Sequence, residues 1–239
     1  MVGVVALTLT MAASPAFAQD ISINLGQNGG LTERVMQLVA LLTVLSLAPS
    51  ILVMMTSFTR IVVVLSLLRT ALGTATAPPN AVIIALALFL TGFVMGPALQ
   101  RSYDEGLLPL ANNEISVQQA FERSTAPLRT FMQKNVREKD LQLFTDLSAE
   151  PPPATPEQMS LRILVPAFMI SELRRAFEIG FLLFLPFLII DLVVASVLMS
   201  MGMMMLPPVV VSLPFKLIFF VLVDGWSLVA GSLIKSYGT

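Results

Sequence analysis

Long apolar stretches alternate with polar ones along this chain of 239 residues. The first apolar stretch runs from Val35 to Met55, contains Pro49, and resumes over residues 61–68. Because proline removes a backbone donor and clashes with the preceding turn, we expect a helix that is kinked or divided near Pro49. The Pro78-Pro79-Asn80 triplet marks a turn over residues 70–80, and the uncharged residues 81–99 predict a second span. Residues 35–99 therefore predict a first helical hairpin.

The apolar pattern returns in residues 163–239. An amphipathic segment over 166–178 precedes a span over 179–199, and a second apolar stretch over 209–222 follows a loop at 199–208. Trp226 and Tyr237 are residue types typical of a membrane interface. The pattern predicts a second hairpin, and hence an all-α, integral membrane-type chain with about four apolar spans.

Between the hairpins, residues 100–162 are rich in charge and predict a small helical domain in water, with a Pro-rich linker over 150–156. Helical spacings of four and three place apolar residues mostly on one face of a helix in this domain. The residues of that face are Val117, Phe121, Ser124, Leu128, Phe131 and Asn135. Because so small a domain has little core, Phe131 and Phe144 are candidates for contacts between subunits. Packing within the domain is the alternative.

The N-terminus predicts export. Residues 1–18 form an apolar run that ends in Ala16-Phe17-Ala18, a pattern typical of signal peptidase cleavage, although no basic residue precedes Arg34. An uncleaved anchor helix is the alternative, and residues 19–34 would form a flexible exported segment. Arg60 and Arg69 are basic residues close to the 70–80 turn, and the positive-inside rule places that turn in the cytoplasm. The N-terminus, the polar domain and the C-terminus would then lie on the periplasmic side.

The amino-acid composition argues against several classes of function. The chain is 56% hydrophobic and 12% charged, with a mean hydropathy of +0.84 and a net charge of −1. The absence of a basic block argues against binding of nucleic acid. The absence of Cys and His removes thiolate chemistry, the commonest metal ligand and the commonest general base. No catalytic or phosphate-binding motif occurs, so we expect neither an enzyme nor a site for a metal or cofactor.

Charges within apolar segments are costly unless they are paired or hydrated, so Asp191, Lys216 and Asp224 are candidate functional residues. An ion pair between helices or subunits is the favoured interpretation, and a proton relay is the alternative. Glu172 with Arg174 and Arg175, near the start of the second hairpin, predicts pairing between subunits.

The loop at 199–208 contains five methionines in the seven residues 199–205. Methionine is flexible and polarisable, so a ring of methionines can close around an irregular object. This composition favours a gate for variable polypeptides, and simple filling of helix-packing gaps is the alternative.

Several stretches together resemble one family, the FliP-type subunit of the flagellar type III export gate. They cover nearly all of the chain after residue 18, and their order and spacing are specific. The matching stretches are Thr56-Ser-Phe-Thr-Arg60 through Leu68-Arg69, Pro78-Pro79-Asn80, Leu86-Ala-Leu-Phe-Leu-Thr91, Pro166-Ala-Phe168, Ser171-Glu-Leu173, Ile179-Gly-Phe181, Pro186-Phe187, Asp191, Ser200-Met-Gly-Met-Met-Met205, Ser212-Leu-Pro-Phe-Lys216 and Asp224-Gly-Trp226.

This resemblance implies about five copies assembling with the subunits FliQ and FliR into a helical pore, with FlhB and FlhA alongside. The pore would pass unfolded flagellar proteins across the bacterial inner membrane at the flagellar basal body. Met203, Met204 and Met205 would form a methionine gasket that closes it at rest, Lys216 would match an intramembrane lysine, and Glu172 an acidic contact between subunits. A virulence-type homologue, an ion-coupled secondary transporter and a membrane scaffold without a pore are the alternatives.

Overall fold

The computed structural model describes residues 53–74, 76–148, 159–203 and 205–238, with scattered positions between 35 and 50. The predicted signal peptide, most of the first apolar stretch and the Pro-rich linker lie outside these residues. The chain divides into two units, residues 1–46 and 47–239, and everything below concerns the second. All its described elements are helices: α1 Phe58–Leu72, α2 Asn80–Ser102, a π-helical turn Tyr103–Leu107, α3 Leu108–Ala111, α4 Val117–Asn135, α5 Glu138–Leu147, α6 Leu161–Ser200, α7 Pro208–Leu222 and α8 Gly225–Lys235.

Two described stretches are long and apolar enough to cross a membrane: Asn80–Ala111, with 32 residues, and α6, with 40. Helices α7 and α8 qualify as a third only if taken together, and a bend of 62° separates them. The described part of the chain therefore has two or three candidate spans, where the sequence predicted about four in the whole chain. Their length and apolar composition indicate a membrane protein.

Helix α6 is longer than the sequence predicted. The amphipathic segment 166–178 and the span 179–199 form one continuous helix that contains both Pro166 and Pro186. A side-chain cap from Ser160, whose oxygen accepts from the Arg162 N–H, opens it. Proline removes one backbone hydrogen bond, and the remaining bonds of a 40-residue helix keep it continuous. Because α6 is continuous, it can connect the polar part of the chain to the methionine loop.

The main core forms around α1, whose Ile61, Val64, Leu65 and Leu68 are fully buried. Gly180 on α6 allows a close approach of the two helices, because a Cβ there would lie 3.3 Å from both Cβ and Cγ of Leu67 on α1. Residues of α2, α6, α7 and α8 complete the cluster. The short helix α1 is therefore the central element of the apolar part.

The polar domain packs on the apolar helices instead of standing apart. Leu128 and Met132 of α4 are buried against Met95 of α2 and Phe168 of α6. Ser116 opens α4 with a capping box that includes Gln119. At the first turns of α4, Val117 and Phe121 are exposed, although the spacing placed them on the same apolar face.

Helix α5 is fixed to α6 through one serine. The Arg137 N–H donates to Ser171 Oγ at 3.0 Å, and the Ser171 hydroxyl donates to Asp140 Oδ2 at 2.7 Å. Ser171 is fully buried and Asp140 nearly so. Because buried polar groups are costly when unpaired, this network holds α5 at a defined position along α6.

Replacing Gly106 with Ala is expected to destabilise the chain by about 1–3 kcal/mol. A Cβ at Gly106, in the π-helical turn, would meet the Ser124 hydroxyl and lie 2.8 Å from the Ser124 backbone nitrogen. Backbone cannot move aside as a flexible side chain can, so α4 and the turn must separate. Gly92→Ala on α2 is the matched control, because a Cβ there meets nothing within 4 Å. Thermal unfolding of the purified variants measures the difference, and equal midpoints would contradict the close approach.

Candidate functional site in the buried charges and the methionine loop

A buried ion pair joins α1 to α6. Arg60 Nε donates to Glu172 Oε2 at 2.9 Å, and a second guanidinium nitrogen donates to Oε1. The side chains are 1% and 0% exposed. This bidentate geometry satisfies both carboxylate oxygens, which a buried carboxylate requires if it is to remain charged.

The C-terminal end of the chain completes this site. Tyr237 donates from its hydroxyl to Glu172 Oε2, and its ring lies 3.8 Å from the Arg60 guanidinium carbon. The Ser236 hydroxyl accepts from Arg60 at 2.9 Å. We call Arg60, Glu172, Ser236 and Tyr237 the arginine cluster. Because its four members come from α1, α6 and the residues after α8, the cluster joins three separate parts of the chain.

Tyr237 remains a donor over the physiological range. Burial, and then the Glu172 carboxylate, raise the pKa of Tyr237 well above its usual value. The folded chain therefore holds this proton more tightly than the unfolded chain does. The resulting stabilisation is present below the unfolded pKa of about 10 and is lost only as the pH rises through the folded pKa.

A second ion pair joins α6 to α7. Lys216 Nζ lies 2.6 Å from Asp191 Oδ2, and the Ser212 hydroxyl donates to Asp191 Oδ1. Lys216 also donates to the Ala71 carbonyl at 3.3 Å, in the last turn of α1. That carbonyl lies at the negative end of the helix dipole, where a cation is favoured. We call Asp191, Ser212 and Lys216, with the Ala71 carbonyl, the lysine pair.

The methionine loop, residues 199–208, connects α6 to α7 and exposes its side chains. Gly202 adopts a positive φ of 72°, which glycine tolerates, and this conformation makes the turn. Met203 is 42% exposed and Met205 is 98% exposed. Met204 lies outside the described residues. The described methionines of the turn are therefore not filling gaps between the helices of one chain.

Arg60 requires a correction, since the sequence placed it beside the cytoplasmic turn. It lies at the opposite end of α1 from that turn, buried and neutralised by Glu172. A paired, buried arginine contributes nothing to the charge of a loop. Arg69 remains beside the turn, where it donates to the Pro78 carbonyl at 3.2 Å and to Asn80 Oδ1 at 2.6 Å.

Of the residues predicted to contact other subunits, Glu172 and Phe131 make contacts within the chain, whereas Arg174 and Phe144 are at least partly exposed. In this conformation Glu172 makes its contacts within the chain and has no surface left for a neighbour. Phe131 stacks on Tyr237, with ring centroids 5.6 Å apart, and packs edge-on against Phe168. Arg174 is exposed and pairs with Glu178 one turn along α6. Phe144 is half-buried on α5.

Asp224 and Tyr237 are placed differently from what their sequence positions suggested. Asp224 is exposed at the bend between α7 and α8, with a left-handed φ of 50°. Tyr237, a residue type typical of interfaces, is 3% exposed. A tyrosine two residues after a terminal helix gives no periodic pattern from which this burial could be predicted.

The described residues contain no group of three or more His, Cys, Asp or Glu side chains that could hold a metal ion. The carboxylates of the two buried sites instead bind cationic side chains of the chain itself. Both sites are therefore suited to holding helices together.

The family model described as the FliP family matches residues 41–233. The chain belongs to the FliP family. Flagellar biosynthetic protein FliP of Caulobacter vibrioides is 62% identical over 97% of this chain and 88% of its own length. The proteins of the same name from Pectobacterium carotovorum and Bacillus subtilis are 59% and 55% identical, over 84% of this chain and over 78% and 91% of their own lengths.

As a FliP-family member, the chain is a component of the flagellar export apparatus, and its family is not one of enzymes. The relatives are flagellar, which favours the flagellar over the virulence-type interpretation of the sequence. The matched region contains the lysine pair, the methionine loop, Arg60 and Glu172. Ser236 and Tyr237, which complete the arginine cluster, lie beyond it.

Proposed function

We propose that this FliP-family chain is a pore-forming subunit of the flagellar type III export gate. About five copies assemble with FliQ and FliR, with FlhB and FlhA alongside, and pass unfolded flagellar proteins across the bacterial inner membrane. The methionine loop closes the pore at rest. The N-terminus, the polar domain and the C-terminus lie on the periplasmic side, and Arg69 marks the cytoplasmic side.

The exposure of the methionine loop is the main observation that supports this proposal. Met205 is 98% exposed at the tip of the α6–α7 hairpin. This exposure is unfavourable in a single chain, because burying a large apolar side chain away from water lowers the free energy. Copies of one loop arranged around an axis would bury these side chains against one another. Flexible thioether side chains could also move aside for a chain of variable sequence.

The lysine pair supports the proposal by fixing the hairpin that carries the loop. Asp191 lies ten residues before Met201, and Lys216 lies eleven residues after Met205, so the pair holds each arm roughly 15 Å below the loop. The contact of Lys216 with the Ala71 carbonyl also ties the hairpin to α1. A gate loop on a fixed frame can move without displacing the helices beneath it.

The uncovered apolar surface supports assembly. Phe89 and Phe93 of α2, and Val221 and Leu222 of α7, are large apolar side chains that are exposed in the single chain. Large exposed apolar side chains in such numbers are typical of contacts with protein or membrane. In the proposed pore, neighbouring subunits and lipid would share this surface.

Replacing Met203, Met204 and Met205 with Gly should make cells that overproduce the gate permeable to ions and small dyes. The change removes the apolar bulk of the loop and leaves the helices and both ion pairs intact. Uptake of a membrane-impermeant dye measures the leak. Replacing the same three residues with Leu is the matched control, since it retains apolar bulk and should leak less.

Unchanged permeability of the glycine variant would contradict the gasket role. The stoichiometry of the purified complex separates the channel from a transporter. A ring of several copies around a lumen supports the proposal, whereas a monomer with saturable uptake of a small solute refutes it.

A further inference from the structure

A cavity of about 370 Å³ opens where α2, the π-helical turn and α4 meet. Its walls are apolar near Val94 and Ala98 of α2 and near Phe131 of α4. Arg101 and Lys134 also line it, and both are exposed. The cavity therefore combines an apolar interior with two cations that reach solvent.

The cavity lies beside the part of α2 where the uncharged run of this helix ends. Residues 70–100 contain no charged residue, so Arg101 is the first charge after Arg69 and ends the uncharged part of the candidate span Asn80–Ala111. Helix α4 folds back against α2 and brings Lys134 to the same cavity. Two cations from distant parts of the sequence thus meet at the end of an uncharged run, where a helix that crosses a membrane would reach the lipid headgroups.

The charges of the cavity are not balanced within the described part of the chain. Arg101 and Lys134 face a single carboxylate among the lining residues, that of Glu105. Neither cation belongs to an ion pair among the described residues. An anionic group entering the cavity would complete the pairing, and Arg and Lys both bind phosphate well.

We propose that this cavity binds an anionic phospholipid. The phosphate lies between Arg101 and Lys134, and the start of an acyl chain lies along Val94 and Ala98. Basic pockets beside membrane helices recognise anionic headgroups in this way. The remainder of the acyl chain continues over the exposed apolar face of α2, where Phe93 is uncovered. The bound lipid would fix the polar domain at the membrane surface, and this role is independent of whether the chain forms a pore.

Native mass spectrometry of the full chain in detergent, titrated with dioleoyl phosphatidylglycerol, tests the proposal. The double variant Arg101→Gln/Lys134→Gln should bind the lipid roughly thirtyfold more weakly, since each of the two cations near an anionic lipid surface contributes roughly fivefold. The control Arg123→Gln/Lys139→Gln removes the same net charge from exposed positions that do not line the cavity and should bind normally. Circular dichroism and thermal unfolding establish that both variants fold.

A further variant, Ala126→Trp, fills the cavity without changing any charge and should also weaken binding. Equal losses in the two double variants would show diffuse electrostatic attraction and overturn the proposal, as would unchanged binding in all variants. Competition by millimolar inorganic phosphate would identify a free anion as the occupant instead. If lipid does not bind and Arg101→Gln/Lys134→Gln abolishes a dimer, the cavity accommodates a second copy and the proposal is wrong.

Discussion

Replacing Glu172 with Gln is expected to lower the free energy of unfolding by about 3–5 kcal/mol, because it leaves the Arg60 guanidinium charged, buried and without its counter-ion. The same change weakens the acceptor for Tyr237 and so loosens the C-terminal end of the chain. Thermal unfolding of the purified chain measures the loss. Cells that carry only this variant should be non-motile on soft agar.

Glu178→Gln is the matched control, since Glu178 lies on the same helix and pairs with Arg174 at the surface. Exposed pairs contribute at most about 1 kcal/mol, so this variant should unfold close to the unchanged chain and support swimming. Unfolding midpoints that agree between Glu172→Gln and Glu178→Gln would show that the arginine cluster does not stabilise the fold. Tyr237→Phe removes only the hydrogen bond of the tyrosine hydroxyl. If it lowers the unfolding midpoint less than Glu172→Gln does, the difference is due to the ion pair.

Replacing Lys216 with Met should cost about 2–3 kcal/mol and abolish motility. Asp191 then loses a charged partner at 2.6 Å and keeps only the Ser212 hydroxyl, while the Ala71 carbonyl loses its cation. The cost is lower than for Glu172 because the Asp191 side chain is 29% exposed and water can reach it. Thermal unfolding and soft-agar swimming again provide the measurements.

The double variant Asp191→Leu/Lys216→Met distinguishes a purely structural role of the ion pair from a role of its charges in motility. Replacing both members of a buried pair with apolar residues is often neutral or stabilising, so the double variant should regain most of the lost stability. Motility that returns with stability would show that the pair acts only as a structural tie. Lys235→Met, which removes an exposed lysine near the end of α8, is the control and should leave both readouts unchanged.

The two buried sites together define the role of α1. Arg60 in its first turn holds α6 and the C-terminal end of the chain, and the Ala71 carbonyl in its last turn holds Lys216 on α7. Both ends of this 15-residue helix are thus tied by charge, and its centre is buried by apolar packing. Helix α1 therefore holds α6, α7 and the C-terminal end of the chain together.

Some features of the chain follow from local sequence. Uncharged runs of 20 residues predict long helices wherever they occur, because a helix satisfies its backbone hydrogen bonds within itself. The turn before Asn80 and the methionine loop follow from where such runs end, and the helix over 117–135 follows from the helical spacing of its apolar residues. The order and spacing of the motifs also identified the family, which the match over residues 41–233 confirms.

Other features depend on which distant residues meet. Arg60 and Glu172 are separated by 112 positions, and Arg60 and Ser236 by 176. Helical periodicity assigns each residue to a face, but it does not specify which face of another helix will cover it. For that reason the sequence identified Glu172, Asp191 and Lys216 as important charges, and only the tertiary structure paired them and made Arg60 and Tyr237 part of a buried cluster. Packing decides such pairings, because a buried charge is stable only where a partner of opposite charge is brought within hydrogen-bond distance.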